Sequence, residues 1–456
     1  MLVTLSLERV AQICHGRLVG ADAIISSIET DTRGELTGAL FVALSGEHFD
    51  GHAFVEQAMV AGAVAVLVER PVNVSTYVLV ADTREAYGLL ANHIRQQFQG
   101  PVVAITGSNG KTSVKDWLAA TLAHFVPTLK TQANLNNQIG VPKTLLGLSA
   151  QHGAAVIEAG TSFPGEIPKL GRYIQADIVI LTNASGSHLA GFGSTRGIAE
   201  EKGALISTAK PDATIILNAD DPHFSYWVAL AGERRVWSFS FVQDSGATLI
   251  CQDAKFFPNH SDVTLLLNGH SIPLRLQRPG RHQVANAMAV CLAMLAQGYD
   301  LAEFLSHLSV PAQVPGRMEM LTTKTGALLV NDCYNASPKS VEAAIDVLAL
   351  QAGTSWLVLG ALGELGEQEA EIHAALGRYA AQQGIQHMLT LGPVAAIAAQ
   401  AFAQESKAGR AQSCATKAEI ITFLADLDQH NAVLVKGSRS AKMEEIVQQL
   451  VSQEPI

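Results

Sequence analysis

The sequence contains little cysteine, and its cysteines are not arranged in pairs. The 456 residues include five cysteines, and no two of them form a C-x-x-C motif. They are Cys14, Cys251, Cys291, Cys333 and Cys414. An odd number of scattered cysteines argues against a disulfide framework and against a zinc site, and it is typical of reduced thiols in an intracellular protein.

The chain also lacks an excess of basic residues. It has 31 Lys and Arg against 41 Asp and Glu, which gives a formal net charge of -10. A general nucleic-acid-binding protein carries a basic surface, so we expect no nucleic-acid partner. An anionic ligand would need locally placed cations and backbone N–H groups, because the overall field of the protein does not attract it.

Long hydrophobic runs are absent as well. The longest uninterrupted apolar run lies within residues 58–68, which is too short to cross a bilayer. Residues 1–16 lack the basic start and apolar core of a signal peptide. We therefore expect a cytoplasmic protein with no membrane insertion, and we expect a monomer.

The composition and length favour several packed domains. Hydrophobic residues make up 48% of the chain, and a length prior of roughly 150 residues per domain suggests about three domains. Short apolar strands alternate with helical segments, as in buried parallel sheets. The prediction is an α/β protein with a small N-terminal α/β domain (1–98), a central P-loop-type parallel sheet (99–313) and a Rossmann-like C-terminal domain (314–456). Residues 234–276 alternate like antiparallel hairpins and suggest a β appendage on the central domain.

Residues 101–117, PVVAITGSNGKTSVKDW, predict a strand, a glycine-rich turn and a helix. Their end fits the phosphate-loop pattern G-x-x-x-x-G-K-[ST], although the first glycine is displaced to Gly107. Gly107 and Gly110 allow backbone N–H groups to surround phosphate oxygens. Lys111 can neutralise the β- and γ-phosphates, and the Thr112 hydroxyl can ligate Mg²⁺. The predicted nucleotide-binding residues of the loop are Gly107, Ser108, Asn109, Gly110, Lys111, Thr112 and Ser113.

Several other segments occur in an order that resembles the Mur ligases, which build the peptide of bacterial cell-wall precursors. They are TGSNGKTS (106–113), ANLNNQIGVP (133–142), EAGTSFPGEI (158–167), TNASGSHLAGFGSTRGIAEEKG (182–203), LNADDP (217–222), GRHQVANAMA (280–289), PGRMEM (315–320) and NDCYNASP (331–338). The resemblance covers nearly the whole chain.

Four segments are most similar to family members that act on a UDP-N-acetylmuramoyl-tripeptide and D-alanyl-D-alanine. They are residues 31–54, 334–344, 358–377 and 433–447. The chain departs from the family pattern at Ala361, where an aspartate is expected. Cys333 and Ser337 also stand where aspartate and asparagine are commoner. The resemblance implies that the two compounds are the substrates, although Ala361 puts a dipeptide or domain-contact role of that position in doubt.

The reaction implied by the resemblance is ATP-dependent amide formation. ATP phosphorylates a carboxylate to an acyl phosphate, the dipeptide amine attacks it, and phosphate leaves. The protein then contributes mainly positioning and charge stabilisation. The catalytic residues implied are Lys111, Glu158, His188 and Lys202.

The resemblance also implies two Mg²⁺ ions. Their ligands would be Thr112, Glu158, His188 and Lys202. A cationic lysine would repel Mg²⁺, whereas a lysine carboxylated by CO₂ supplies an anionic oxygen ligand. The resemblance therefore implies N-carboxylation of Lys202.

Further residues are predicted to bind ATP or the substrates. His282 and Asn286 lie four apart on one helix face, and Arg317 and Asp332 are expected to reach the nucleotide when the third domain closes. The resemblance assigns polar loops of the first domain to the uridine nucleotide, and other segments to the peptide substrates. The substrate-binding residues are Asp31, Thr32, Arg33, Ser45, Gly46, Asp50, His52, Asn136, Asn137, Asn335, Lys436, Ser438 and Arg439.

The sequence is also compatible with two alternative functions. One is a folylpolyglutamate synthase or another Mur-type ligase, against which the segments FDGHAF and KGSRSAKME argue. The other is a P-loop regulatory ATPase, which would leave the strand-end Glu158 and the third-domain motifs unexplained. Phosphate release distinguishes them, because a ligase needs both an acid and an amine.

Overall fold

The chain folds around three main β-sheets, each built from short apolar strands. The structure is a computed structural model, and it describes residues 2–46, 49–186 and 189–451. The interior parallel strands of the sheets are buried on both faces, whereas strands toward the sheet edges are partly exposed, as expected for parallel sheets covered by helices. The predicted α/β fold class is confirmed.

The first sheet has five strands in the order β2-β7-β6-β5-β4, all parallel except β2. A two-stranded antiparallel ladder, β1 with β3, lies beside it. The elements are β1 (Leu5–Ser6), α1 (Leu7–Ile13), β2 (Arg17–Val19), β3 (Ile24–Ile25), β4 (Ser27–Glu29), β5 (Ala39–Val42), α2 (Val55–Val60), β6 (Ala65–Val68), β7 (Tyr77–Leu79) and α3 (Thr83–Gln97).

The central sheet has nine strands in the order β16-β15-β14-β13-β12-β11-β8-β10-β9. Its strands are β8 (Val102–Thr106), β9 (Thr128–Lys130), β10 (Ala154–Glu158), β11 (Ile178–Leu181), β12 (Thr214–Asn218), β13 (Arg235–Ser240), β14 (Leu249–Phe256), β15 (Ser261–Leu267) and β16 (His270–Leu276). Its helices are α4 (Lys111–Leu122), α5 (Gly140–Leu146), α6 (Glu166–Ile174), α7 (Leu189–Phe192), α8 (Thr195–Ser207), α9 (Phe224–Ala231), α10 (Arg281–Ala296) and α11 (Leu301–Leu308).

The hairpins predicted at residues 234–276 extend the central sheet and do not form a separate appendage. Phe239 of β13 pairs in parallel with Leu249 of β14, so β14 continues the ladder. From there β14, β15 and β16 run antiparallel to one another. Their alternating burial reflects one face packed on the core, whereas the parallel strands are covered on both faces.

The third sheet has six strands in the order β17-β18-β22-β19-β20-β21, of which only β17 is antiparallel to its neighbour. The elements are β17 (Glu319–Thr322), β18 (Leu328–Asp332), α12 (Pro338–Ala349), β19 (Thr354–Gly360), α13 (Glu369–Gln382), β20 (His387–Leu391), α14 (Gly392–Glu405), β21 (Arg410–Cys414), α15 (Lys417–Leu424), β22 (Asn431–Lys436) and α16 (Glu444–Leu450).

The core lies on both faces of the sheets, as β8 shows. Val102 and Ala104 pack into one buried cluster, and Val103 and Ile105 pack into another on the opposite face. Successive side chains of a strand point to opposite faces of the sheet. A strand whose side chains are apolar on both faces must therefore be packed against other elements on both faces. Because these strands are interior, their polar ends are where chemistry can be placed.

A buried ion pair joins the first sheet to the central one. The Arg95 guanidinium at the end of α3 lies 2.6 Å from Asp177 and is almost fully buried. It also donates to the carbonyl oxygens of Ile174 and Gln175. The N–H groups of the Arg95 guanidinium therefore have acceptors at this junction, as a buried charge requires. Across the described ranges, no helix combines the length and hydropathy that a membrane span requires.

Candidate active site

The phosphate loop follows β8 and leads directly into α4. Gly107 has a φ of 150° and Gly110 a φ of 85°, values that side chains other than glycine rarely adopt. A Cβ atom on Gly107 would lie 1.9 Å from Thr182 Oγ1. Glycine is therefore required at this turn, and the displaced first glycine still lets the chain bend toward the start of α4. A helix N-terminus presents free N–H groups to a phosphate.

The loop is braced by residues from the end of β11, the strand beside β8. Asn109 N–H donates to Asn183 Oδ1 at 3.1 Å, and Ser108 N–H donates to the Asn183 carbonyl oxygen at 2.9 Å. Thr182 Oγ1 donates to the Asn109 carbonyl oxygen at 2.6 Å. Sequence reasoning missed Thr182 and Asn183. The adjacency of β8 and β11, whose polar ends meet at one edge of the sheet, was the signal that could have found them.

Lys111 is the first residue of α4, and its ammonium folds back over the loop. Nζ donates to the carbonyl oxygens of Gly107 at 2.7 Å and Ser108 at 3.2 Å. Burial lowers the pKa of Lys111, the Glu158 carboxylate raises it, and the Arg317 guanidinium lowers it further. The charges of Glu158 and Arg317 therefore both act at the loop.

Glu158 ends β10, on the other side of β8, and it is only 2% exposed. Asn136 Nδ2 donates to its Oε1 at 2.8 Å. Its other oxygen, Oε2, is buried and has no hydrogen-bond partner among the described residues. A buried carboxylate oxygen without a donor is costly, so this atom is suited to bind a cation.

Asn137 has a structural contact of its own. Its side-chain oxygen accepts from the N–H groups of Ile139 and Gly140, at 3.1 and 2.9 Å. These bonds satisfy donors at the start of α5. The structure therefore gives Asn137 a helix-capping contact, and only its neighbour Asn136 reaches Glu158.

Lys202 lies within α8 and is also only 2% exposed. Burial lowers its pKa well below the ordinary value, and the nearby Lys111 cation lowers it further, while the Glu201 carboxylate raises it. The Glu201 carboxylate accepts from the N–H groups of Gly165 and Ile167 at 2.8 and 2.7 Å, which ties α8 to the start of α6. His188, the other implied metal ligand, lies outside the described residues.

A cavity of about 650 Å³ lies between the central sheet and the third sheet. Most of the predicted nucleotide and third-domain residues line it. They are Ser108, Asn109, Gly110, Lys111, Thr112, Ser113, His282, Asn286, Arg317, Asp332, Asn335, Lys436, Ser438 and Arg439. The structure thus brings together residues more than 300 positions apart in the sequence.

His282 and Asn286 face the cavity from α10, as their spacing of four predicts. Burial lowers the pKa of His282 to about 4. The imidazole is therefore neutral at pH 7, and it can accept or donate a hydrogen bond without adding charge.

In the third domain, two predicted substrate-binding residues have their polar groups engaged within the protein. Lys436 Nζ is buried and donates to Asp332 Oδ2 at 2.5 Å and to the Asn335 carbonyl oxygen at 3.1 Å. Ser438 Oγ donates to the Ala361 carbonyl oxygen at 2.7 Å. These contacts fix the loops that follow β18, β19 and β22, so the structure favours a positioning role for both side chains.

Arg317 lies over an aromatic ring at the entrance to the third domain. Its guanidinium is 4.3 Å from the ring centroid of Tyr334, within the range of a cation–π contact. Its Nε is buried and has no hydrogen-bond partner within the described part of the chain. The Arg439 guanidinium lies 6.0 Å from the same ring centroid and pairs with Glu444 at 2.8 Å. Sequence reasoning missed Tyr334, which sits within the NDCYNASP segment.

The first-domain residues that were predicted to bind the uridine nucleotide do not line this cavity. Asp31 and Arg33 form an exposed ion pair at 2.6 Å, with Thr32 between them. Asp50 pairs with Arg70 and with the buried His52.

The neighbouring loop is held by backbone contacts. The Ser45 carbonyl oxygen accepts from Arg84 Nε at 2.7 Å, and Gly46 N–H donates to the Phe49 carbonyl oxygen at 2.6 Å. Because neither Ser45 nor Gly46 lines the 650 Å³ cavity, a ligand bound by this loop would occupy a separate region.

The chain is similar to known proteins over nearly its whole length. The profile of the Mur ligase middle domain matches residues 105–294, that of the Mur ligase glutamate ligase domain matches residues 316–439, and that of the Mur ligase family catalytic domain matches residues 24–126. The chain is also 38% identical over 453 residues to the UDP-N-acetylmuramoyl-tripeptide–D-alanyl-D-alanine ligase of Escherichia coli K12, which covers 98% of this chain and 99% of the relative.

The chain belongs to the Mur ligase family. Its structure is similar to that of MurF from Acinetobacter baumannii, with a TM-score of 0.91, 32% identity, and coverage of 98% of this chain and 99% of that one. It is also similar to the MurF ligase of Thermotoga maritima in complex with ADP, with a TM-score of 0.83 and 27% identity over 92% of this chain and 96% of that one.

In this Mur ligase, one hydrogen bond joins the third domain directly to the phosphate loop. Ser337 Oγ, at the N-cap of α12, donates to Asn109 Oδ1 at 2.7 Å. Replacing Ser337 with alanine removes this bond, so we expect the KM for ATP to rise about fivefold, the equivalent of one ordinary hydrogen bond. Small-angle scattering should show less compaction of the variant on adding an ATP analogue and substrate.

Ser340→Ala is the matched control. Ser340 shares the capping box with Ser337, but within the described residues it forms no hydrogen bond with the phosphate loop. Both variants should lose up to about 1 kcal/mol of stability through the cap. Equal KM values for the two variants would contradict a role of the interdomain bond.

Proposed function

We propose that the protein is an ATP-dependent ligase that adds D-alanyl-D-alanine to a UDP-N-acetylmuramoyl-tripeptide in peptidoglycan precursor synthesis. The observation that carries the proposal is the cavity between the phosphate loop and the third domain. It combines a nucleotide-type loop with residues of a second sheet, an arrangement that can bring the nucleotide and the compounds to be joined into one cavity. Full-length similarity to a ligase of that name supports the choice of substrates.

ATP is the nucleotide that the site fits best. The ADP complex of the similar Thermotoga ligase supports a nucleotide at the loop. In this chain, the Lys111 and Arg317 cations lie close enough to affect one another, and the Glu158 carboxylate is the anion that acts on Lys111. An excess of cations in a largely buried site is stabilised by a polyanion such as a triphosphate.

The donor set also fits Mg²⁺. The unpartnered Glu158 Oε2 and the Thr112 hydroxyl are hard oxygen ligands, the kind that Mg²⁺ prefers together with phosphate oxygens and waters. Within residues 2–46, 49–186 and 189–451, no cluster of three or more His, Cys, Asp or Glu could hold a metal alone. Mg²⁺ would therefore bind with the nucleotide, where it would neutralise phosphate charge.

Lys202 supports a second ligand position if it is N-carboxylated. CO₂ reacts with a neutral amine, and both burial and the neighbouring Lys111 cation favour the neutral form of Lys202. The resulting carbamate would supply an anionic oxygen for the second Mg²⁺, with His188 as its proposed partner ligand.

The reaction would proceed in two steps. The substrate carboxylate attacks the γ-phosphorus of ATP and displaces ADP, which yields an acyl phosphate. The dipeptide amine then attacks the acyl carbon, phosphate leaves with the C–O bonding electrons, and the amine proton passes to solvent. This chain would hold the phosphates with Lys111 and the α4 N-terminus, and it would position the third domain through Ser337 and Arg317.

The three domains would divide the substrates. The polar loops around Asp31 and Ser45 would bind the uridine nucleotide, the central domain (99–313) would bind ATP, and the third domain (314–456) would present the dipeptide. Charged loops at strand ends are suited to such small ligands.

Phosphate release tests the proposed function. Purified protein is incubated with ATP, Mg²⁺ and UDP-N-acetylmuramoyl-tripeptide, with and without D-alanyl-D-alanine. We expect release to depend on both substrates and the product mass to increase by the dipeptide less water. Release from ATP alone would indicate a regulatory ATPase. Release that requires a single amino acid in place of the dipeptide, or a folate in place of the UDP-tripeptide, would indicate another ligase of this fold.

A further inference from the structure

Lys115 is a buried cation that the reaction described above does not use. It lies on α4, one turn after Lys111, and is 1% exposed. Its Nζ donates to the Thr131 carbonyl oxygen at 2.9 Å and lies 3.2 Å from Asp116 Oδ2. Lysine is rarely buried to this extent unless its charge is paired and its donors are used. The contact with Thr131 therefore calls for an explanation.

The segment that Lys115 holds is attached to Glu158 at two points. At its beginning, Thr131 Oγ1 accepts from Glu158 N–H at 3.0 Å. Farther along, Asn136 Nδ2 donates to Glu158 Oε1 at 2.8 Å, and the Asn136 carbonyl oxygen accepts from Gly160 N–H at 2.9 Å. Residues 131–136 thus contact both the backbone and the carboxylate of Glu158.

We propose that Lys115 is a positioning residue for Glu158. It fixes residues 131–136 to the same helix that carries Lys111 and Thr112, so that Asn136 holds Glu158 Oε1 and Oε2 stays available for a cation. The proposal rests on the proposed function, because the orientation of Oε2 matters only if Glu158 holds a nucleotide-bound Mg²⁺. Residues that orient a metal ligand without touching the metal typically change metal affinity 10–100-fold.

The chain offers a matched control at Lys130. This lysine pairs with the same aspartate, at 2.7 Å from Asp116 Oδ1, but its side chain is 36% exposed and forms no hydrogen bond with Thr131 or Glu158. Lys115→Met and Lys130→Met each remove one cation from the Asp116 network. Only Lys115→Met removes a hydrogen bond between α4 and residues 131–136.

The test is ADP binding by titration calorimetry in the presence and absence of Mg²⁺. For Lys115→Met we expect the tightening of ADP binding by Mg²⁺ to fall about tenfold relative to wild type, with ADP affinity in the absence of Mg²⁺ changed by less than about twofold. Lys130→Met should match wild type in both measurements. Equal effects of the two variants, or an equal loss of ADP affinity with and without Mg²⁺, would overturn the proposal.

If Lys115→Met does not fold, Thr131→Val decides the question. It preserves side-chain shape and leaves Lys115 in place, but it removes the hydroxyl that accepts from Glu158 N–H. The same selective loss of the Mg²⁺ effect is expected, and an unchanged Mg²⁺ effect would refute the proposal. Wild-type protein that shows the Mg²⁺ effect but fails to join the two substrates would contradict the proposed function and leave the role of Lys115 standing.

Discussion

Replacing Lys111 with methionine is expected to lower kcat by about a thousandfold, because the charge that stabilises the transferring phosphoryl group is lost. Lys111 Nζ lies over the loop, where it donates to the Gly107 and Ser108 carbonyl oxygens. Methionine keeps most of the length and apolar bulk of the side chain. Initial rates of phosphate release with both substrates present measure the effect.

Lys111→Arg is the informative companion variant. It keeps the positive charge, but the planar guanidinium does not reproduce the compact ammonium that fits between two carbonyl oxygens. We expect an intermediate loss, larger than tenfold and smaller than that of Lys111→Met. A methionine variant with a kcat within a few-fold of wild type would show that the loop lysine is not part of the phosphoryl transfer step.

The second large effect is expected for Lys202→Ala, which should lose activity by at least about a hundredfold if the carboxylated side chain holds a metal. Wild-type activity should also fall in CO₂-depleted buffer and recover when bicarbonate is added. The alanine variant should not respond to bicarbonate, because no amine remains to be carboxylated. Steady-state rates at several bicarbonate concentrations measure both effects.

Lys169→Ala is the control for this experiment. Lys169 lies on the neighbouring helix α6 and forms a partly exposed ion pair with Glu85, away from the cavity. Its removal should leave both the rate and the bicarbonate response unchanged, since exposed ion pairs contribute little. Normal turnover by Lys202→Ala would exclude a metal-holding carbamate at this position.

Much of the fold could be predicted from patterns that are local in the sequence. Short apolar runs such as residues 102–106 and 154–158 indicated buried parallel strands, and each strand is found there. The glycine spacing around Lys111 predicted the turn that its φ angles require. The exception was residues 234–276, where alternation predicted hairpins but not the parallel pairing of β13 with β14 that joins them to the central sheet.

The candidate site was predictable where its residues lie at strand ends or at helical spacing. His282 and Asn286 face the cavity from one helix, as their spacing required. The braces at Thr182 and Asn183, and the ring of Tyr334 beneath Arg317, were not anticipated, because their partners come from other strands. A sequence also does not show that the Lys436 ammonium donates to Asp332, or that Glu158 Oε2 has no hydrogen-bond partner within the described residues.

The sequence by itself thus determined the fold class, the phosphate loop, the segments that carry the site and the family resemblance. Periodicity and turn chemistry act between neighbouring residues, so they can be read without coordinates. Tertiary structure alone decided which polar groups pair, such as Lys115 with Thr131 and Ser337 with Asn109. Each of these bonds depends on two segments that meet only when the sheets and domains pack, and a buried polar atom takes whichever partner lies within about 3 Å.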